Sequence, residues 1–163
     1  MTAKFLTAAF VAAALGGTST FSWAQPLKPC ALLTSAEVKS VATSPPGEGV
    51  AEFLAPTASH TCVYKWAARD FSPSLVVTAS DTSKMYPGMS AEMLKMGLLA
   101  GKDMTAIPGI GDAAGYKSDS PTAAMAIALL KGKVLTVTYR GTDAVAKKGQ
   151  VVGLLKSAAS RLP

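Results

Sequence analysis

The chain has 163 residues, 49% of them hydrophobic, with 16 lysines and arginines, 10 aspartates and glutamates, one histidine and a formal net charge of +6. That apolar content excludes an intrinsically disordered chain. Two cysteines and one histidine cannot supply the four cysteine and histidine ligands of a structural zinc site.

The first 24 residues read as a secretory signal peptide. Lys4 supplies the positive start, residues 5–15 form a short apolar run, and Ser22-Trp23-Ala24 gives the small-x-small cleavage pattern, so Gln25 opens the mature chain. No later stretch reaches the roughly 18 uncharged apolar residues that a transmembrane span needs. Residues 25–163 suit a single domain, periplasmic or secreted. In that oxidising setting Cys30 and Cys62 are expected to form one disulfide. Lipidation of Cys30 is the alternative, but Leu27-Lys28-Pro29 lacks the small residues that a lipoprotein signal peptidase prefers.

Thr34-Ser35-Ala36-Glu37 is a capping box opening a short helix that stops before Pro45-Pro46-Gly47. Residues 44–59, rich in proline, glycine and alanine, read as a loop. Residues 61–67 alternate in polarity like a strand, and 74–80 form a second, close enough for an antiparallel hairpin. A helix follows at 90–99, then short extended pieces at 104–107 and 113–117. Residues 123–130 and 134–139 form a hairpin through Lys131-Gly132-Lys133. The last element, 144–161, is a helix with Val145, Val152, Leu155, Ala159 and Leu162 near helical spacing. The order α-β-β-α-β-β-β-α predicts an α+β fold, an antiparallel sheet of about five strands with helices packed on it.

Between the extended pieces lies "IPGIGDAAGYKS". Its Gly109, Gly111 and Gly115 approach a dinucleotide fingerprint, but Ala114 stands where the third glycine belongs, and strand-like alternation follows where a helix should begin. No Gly-Lys-Ser/Thr closes a Walker loop. The run is expected to turn the chain, with the Asp112 side chain capping nearby amides. Gly149 and Gly153 suggest close approach of the last helix to the sheet.

The ordered series "CALLTSAEV", "TCVYKW", "PGIGDAAG" and "LLKGKVLTVTY" resembles the small Cys-paired exported domains of unknown function known mainly from actinobacterial lipoproteins. The resemblance spans nearly all of residues 25–163, although this chain lacks a lipobox. It implies the α+β fold, the disulfide and a cell-envelope setting, and brings no enzymatic activity with it.

No catalytic constellation is legible. Neither Gly-x-Ser-x-Gly nor Ser-x-x-Lys occurs, His60 stands alone two residues before Cys62, and Glu48 and Glu52 sit in the expected loop. No cofactor motif is present. The outward-pointing feature is charge: from Lys131 onward, Lys131, Lys133, Arg140, Lys147, Lys148, Lys156 and Arg161 face Asp143 alone. Such a segment attracts polyanions, which outside the cytoplasm means an anionic envelope component or another envelope protein rather than nucleic acid. Lys131, Lys133, Lys147 and Lys148 are the candidate ligand-binding residues of a non-enzymatic envelope domain. The alternative is a periplasmic copper-binding protein. Met89, Met93 and Met96 share one helix face, and thioethers are soft ligands that select copper(I). Oligomeric state has no sequence signature here.

Overall fold

A computed structural model describes residues 27–68 and 72–163; the expected signal peptide and its cleavage site lie outside the described residues. The capping box forms as expected. The Thr34 amide donates to Glu37 Oε2 at 2.7 Å, the Glu37 amide donates to Thr34 Oγ1 at 3.3 Å, and helix α1 runs Ser35–Val41. After it come strands β1 (Val50–Leu54), β2 (Ser59–Lys65) and β3 (Ser74–Asp81), then helices α2 (Thr82–Met85) and α3 (Ala91–Leu99). Strands β4 (Thr105–Ala106), β5 (Ala113–Ser120), β6 (Ala123–Leu130) and β7 (Lys133–Arg140) precede the closing helix α4 (Lys148–Arg161).

The fold is α+β with an antiparallel sheet, as expected, but the sheet has seven strands in the order β1-β2-β3-β7-β6-β5-β4. The expected element order is corrected with it. β1 lies inside the stretch 44–59 expected as loop, because Pro45-Pro46-Gly47 and Gly49 mask five residues that are exposed on both faces and so do not alternate. β4 pairs only two residues with β5. The one-turn α2, capped by Asp81 accepting from the Ser83 amide at 3.0 Å, is too short to show a helical period.

Alternation buries one face of the sheet. Cys62, Val77, Val137 and Ala126 stand side by side across four strands, all 0% exposed. β6 gives this face Ala124, Ala126 and Ala128, and those small side chains let α4 lie close with Val151, Leu154, Leu155 and Ala158 inward. Of the expected stripe Leu155 and Leu162 are buried and Val152 and Ala159 pack partly against the core, while Val151, Leu154 and Ala158 widen the inward face and Val145 falls outside it. Val145 precedes the helix and is 62% exposed, and residues 142–147 are turns rather than helix. Gly149 and Gly153 are exposed, with nothing near the position of an added Cβ, so they do not mediate the helix–sheet approach.

Cys30, on a 3-10 turn at Pro29–Ala31, is disulfide-bonded to Cys62 in the middle of β2, which fastens the chain leading into α1 onto the core face. In the loop-entropy account such a link constrains the unfolded chain by about 3–4 kcal/mol. At the other end Arg161 makes a two-pronged contact with Glu37, at 2.8 and 3.0 Å, and donates to the Leu32 carbonyl at 2.9 Å. α1 and α4 are thereby locked together.

The glycine run is a turn. Gly109 and Gly111 have φ of +76° and +56°, the left-handed region that glycine enters without penalty, and between them Ile110 dips into the core at 5% exposure. The Asp112 amide donates to the Leu129 carbonyl at 2.8 Å. No hydrogen bond involves the Asp112 side chain among the described residues, so backbone pairing and not a side-chain cap closes the turn. A Cβ at Gly111 would run into the Leu129 carbonyl and Leu130 Cβ. Gly111→Ala is therefore expected to lower unfolding free energy by about 1–3 kcal/mol, measured by urea denaturation, while Gly109→Ala, with open space around it, costs less.

Arg161 first, then the Thr34 hydrogen bonds, hold the Glu37 carboxyl at about 2 instead of 4.5. A depressed carboxylate stabilises the fold above its unfolded value and loses that contribution as pH falls from about 5 toward 2. Urea midpoints at about pH 5.5 and pH 3 should therefore diverge less in Arg161→Ala than in the parent chain. Equal divergence would place the acid sensitivity elsewhere.

Candidate functional site

The second face of the sheet is covered only in part. Over β2, β3 and β7 it carries hydroxyls: Ser59 and Ser80 are hydrogen-bonded at 2.7 Å, Thr61 and Thr78 at 3.2 Å, and Thr136 and Thr138 continue the row. Toward β5 and β6 it becomes apolar through Met125, Ile127 and Leu129, which alternate with the core-facing alanines of β6. α3 lies over that apolar half.

α3 starts at Ser90, whose hydroxyl accepts from the Met93 amide at 3.3 Å. Leu94 and Leu98, one turn apart, are its half-buried residues, and none is fully buried. The helix therefore stands off the sheet over a cleft of about 320 Å³, at the lower end of the range for ligand sites. Met89 and Met93 line it from the helix side, Met104 from the segment before β4, and Met125 from the floor, with Tyr86 and Lys117 also on the wall. Met104 fits because residue 115 is glycine; a Cβ there would come within 2.5 Å of its Sδ.

The structure rearranges the expected methionine stripe. Met89, Met93 and Met96 are 48%, 53% and 63% exposed, so they are not core. Met89 and Met93 enter the cleft while Met96 is not among its lining residues. Met104 and Met125 complete a group of four thioethers that sequence spacing could not assemble, since they come from a loop and a strand. Their signal was the second phase of β6, where Met125, Ile127 and Leu129 are apolar on the face opposite the core.

The basic residues are drawn apart. Lys131 (φ +52°) and Gly132 (φ +68°) make a tight two-residue turn, and the Lys131 ammonium donates to the Leu162 carbonyl at 2.8 Å, where the α4 dipole favours a cation. Lys133 sits opposite Asp81. Lys147 lies 3.7 Å from Asp143, and Lys148 stands over the Tyr116 ring at 5.1 Å. One pair thus marks the C-terminal end of α4 and the other its N-terminal end, with the 14-residue helix that Lys148 opens running from one to the other, or about 20 Å. The four do not form one patch. His60 is packed beside Phe53, ring centroids 4.8 Å apart, and no group of three or more His, Cys, Asp or Glu residues suited to a metal ion occurs among the described residues. No helix among those residues is long and apolar enough to cross a membrane.

No family model matches the chain, and no significant match to it is found among curated proteins or solved structures.

The separation of the lysine pairs sets an expectation for anionic vesicles. It is about two Debye lengths at physiological ionic strength, so the pairs should act independently. Reversing Lys131 and Lys133 to glutamate, and separately Lys147 and Lys148, should give effects on vesicle affinity whose product matches the fourfold variant within about twofold. A larger combined loss would reveal one cooperative anion site.

Proposed function

We propose that this chain is a non-enzymatic domain of the cell envelope that binds another envelope protein through the methionine-lined cleft beneath α3. The observation carrying this is that the apolar side chains at the mouth of the cleft are themselves open to solvent: Tyr86, Met89 and Met93, which line it, are 40%, 48% and 53% exposed. A small ligand buried in the cleft would leave that outer surface wet, whereas an apolar face of a partner protein covers both. Contiguous exposed apolar surface of this kind marks interaction sites on monomers, and methionine side chains adapt to a partner's shape. The disulfide supports an extracytoplasmic setting, where such bonds persist, and the likeness to Cys-paired exported domains points the same way. Binding of an anionic component draws less support, because the lysines expected to carry it are separated and mostly engaged within the fold.

The convergence of four methionines favours one second reading, a soft-metal site for copper(I) built from Met89, Met93, Met104 and Met125 instead of the Met89, Met93 and Met96 stripe.

Photocrosslinking in the native envelope separates the two. A crosslinking residue at position 93 should trap a defined protein, one at Lys156 on α4 should not, and Met89→Lys with Met125→Lys should lower that yield at least tenfold. Met89→Lys is expected to change stability by less than about 1 kcal/mol, since the side chain is already half exposed. Absence of a position-specific crosslink, with copper(I) binding lost on replacing Met93 and Met125 by leucine, would overturn the protein-binding function in favour of the metal.

A further inference from the structure

β1 is an edge strand on which all five residues are exposed. Val50, Phe53 and Leu54 are 58%, 58% and 50% exposed, and only Glu52 breaks the apolar run. Natural proteins shorten, charge, bend or cover edges that carry free backbone donors and acceptors, yet β1 pairs with β2 over five consecutive residues without a register shift. A recess also flanks it on each face. On the disulfide side a hollow of about 600 Å³ is lined by Leu27, Pro29, Ala51, Phe53 and His60 among others. On the other side one of about 140 Å³ is lined by Glu48, Val50, Glu52, Val63 and Lys65 with Gly47.

We infer that β1 is a strand-addition site for an extended protein segment in which basic and apolar residues alternate. A strand laid beside β1 gains main-chain hydrogen bonds, and its alternate side chains fall into the two recesses. The residue directly opposite Glu52 meets a carboxylate on one face, while its neighbours meet Phe53 and Ala51 on the other. Lys65 stands one strand further in, and Lys28 borders the disulfide-side hollow, which Glu52 borders too; Glu52 is the one charged residue on β1 itself. A second copy of the chain is the poorer occupant. Full overlap of two β1 strands about a twofold axis perpendicular to the sheet sets Glu52 against Glu52, and like charges directly opposite destabilise a pair.

The site is independent of the α3 cleft, which lies toward the other edge of the sheet. The test uses the exported protein and two nine-residue peptides, one alternating lysine and valine, the other glutamate and valine. The chain's net charge of +6 taken alone favours the acidic peptide, so charge preference is decisive. The basic peptide should bind at least tenfold tighter and slow hydrogen exchange across residues 50–54; Glu52→Gln should abolish the preference, Glu52→Lys should invert it, and Met93→Lys should change nothing. Equal affinity for both peptides, exchange already slow in the free monomer because residues before Leu27 cover β1, or a dimer pairing at β1 would each overturn the inference.

Discussion

The pairing of β3 with β7 is the interaction on which the rest of the sheet depends. It matches eight consecutive residues, from Ser74 opposite Arg140 to Asp81 opposite Lys133, and joins two groups of strands otherwise made from local hairpins. Because β3 is central and the next strand, β4, is the far edge, the connecting chain must pass over β7, β6 and β5. It crosses on the second face, and α2 and α3 are that crossing. α4, following β7, returns over the first face. The two sides of the sheet are therefore covered by different means, one by a packed amphipathic helix and the other by a connection in transit.

That difference explains the chemistry of each face. Where α4 lies, the sheet offers an alanine column, and Leu155 and Val151 are fully buried against it. Where α3 lies, the sheet offers Met125, Ile127 and Leu129, larger side chains that hold the helix off, and nothing on α3 is fully buried. Where neither lies, serine and threonine occupy the face and pair with each other across strands; Ser59, Thr61 and Ser80 are buried there, so the pairing satisfies hydroxyls withdrawn from water. The cleft is the remainder left when a helix bridges from the middle of a sheet to its edge over side chains too large to admit it.

Much of this was legible in the sequence, for identifiable reasons. The capping box, the alternation of Cys62 and Tyr64, and the hairpin around Lys131-Gly132 are local signals, and local signals survive folding. The disulfide was expected from two cysteines and an N-terminal stretch that reads as an export signal. What escaped depends on contacts distant in the chain. β1 has no buried face, so period two leaves no trace in it. The start of α4 was misplaced because Val145 belongs to the turn preceding the helix. Met104 and Met125 join Met89 and Met93 only through topology. Lys133 and Lys147, near neighbours in sequence, are carried to opposite ends of a helix because β7 runs the length of the sheet between them.

The two edges of the sheet show how unequal exposure arises within one fold. At the β4 edge, pairing with β5 lasts two residues, Thr105 and Ala106, before Pro108 and the turns at Gly109 and Gly111 take the chain away. β4 itself therefore offers little backbone, and β5 runs on past it to Ser120. At the β1 edge the same means were at hand, since Pro45-Pro46 and Pro56 bracket the strand, yet both lie outside it and leave the span Val50–Leu54 straight and regular. The disulfide works in the same direction. By fixing Cys30 to β2 it holds Leu27 and Pro29 at the side of β1 rather than across its edge. The covalent link thus builds one wall of a recess beside the strand, and among the described residues the backbone groups of β1 stay outermost.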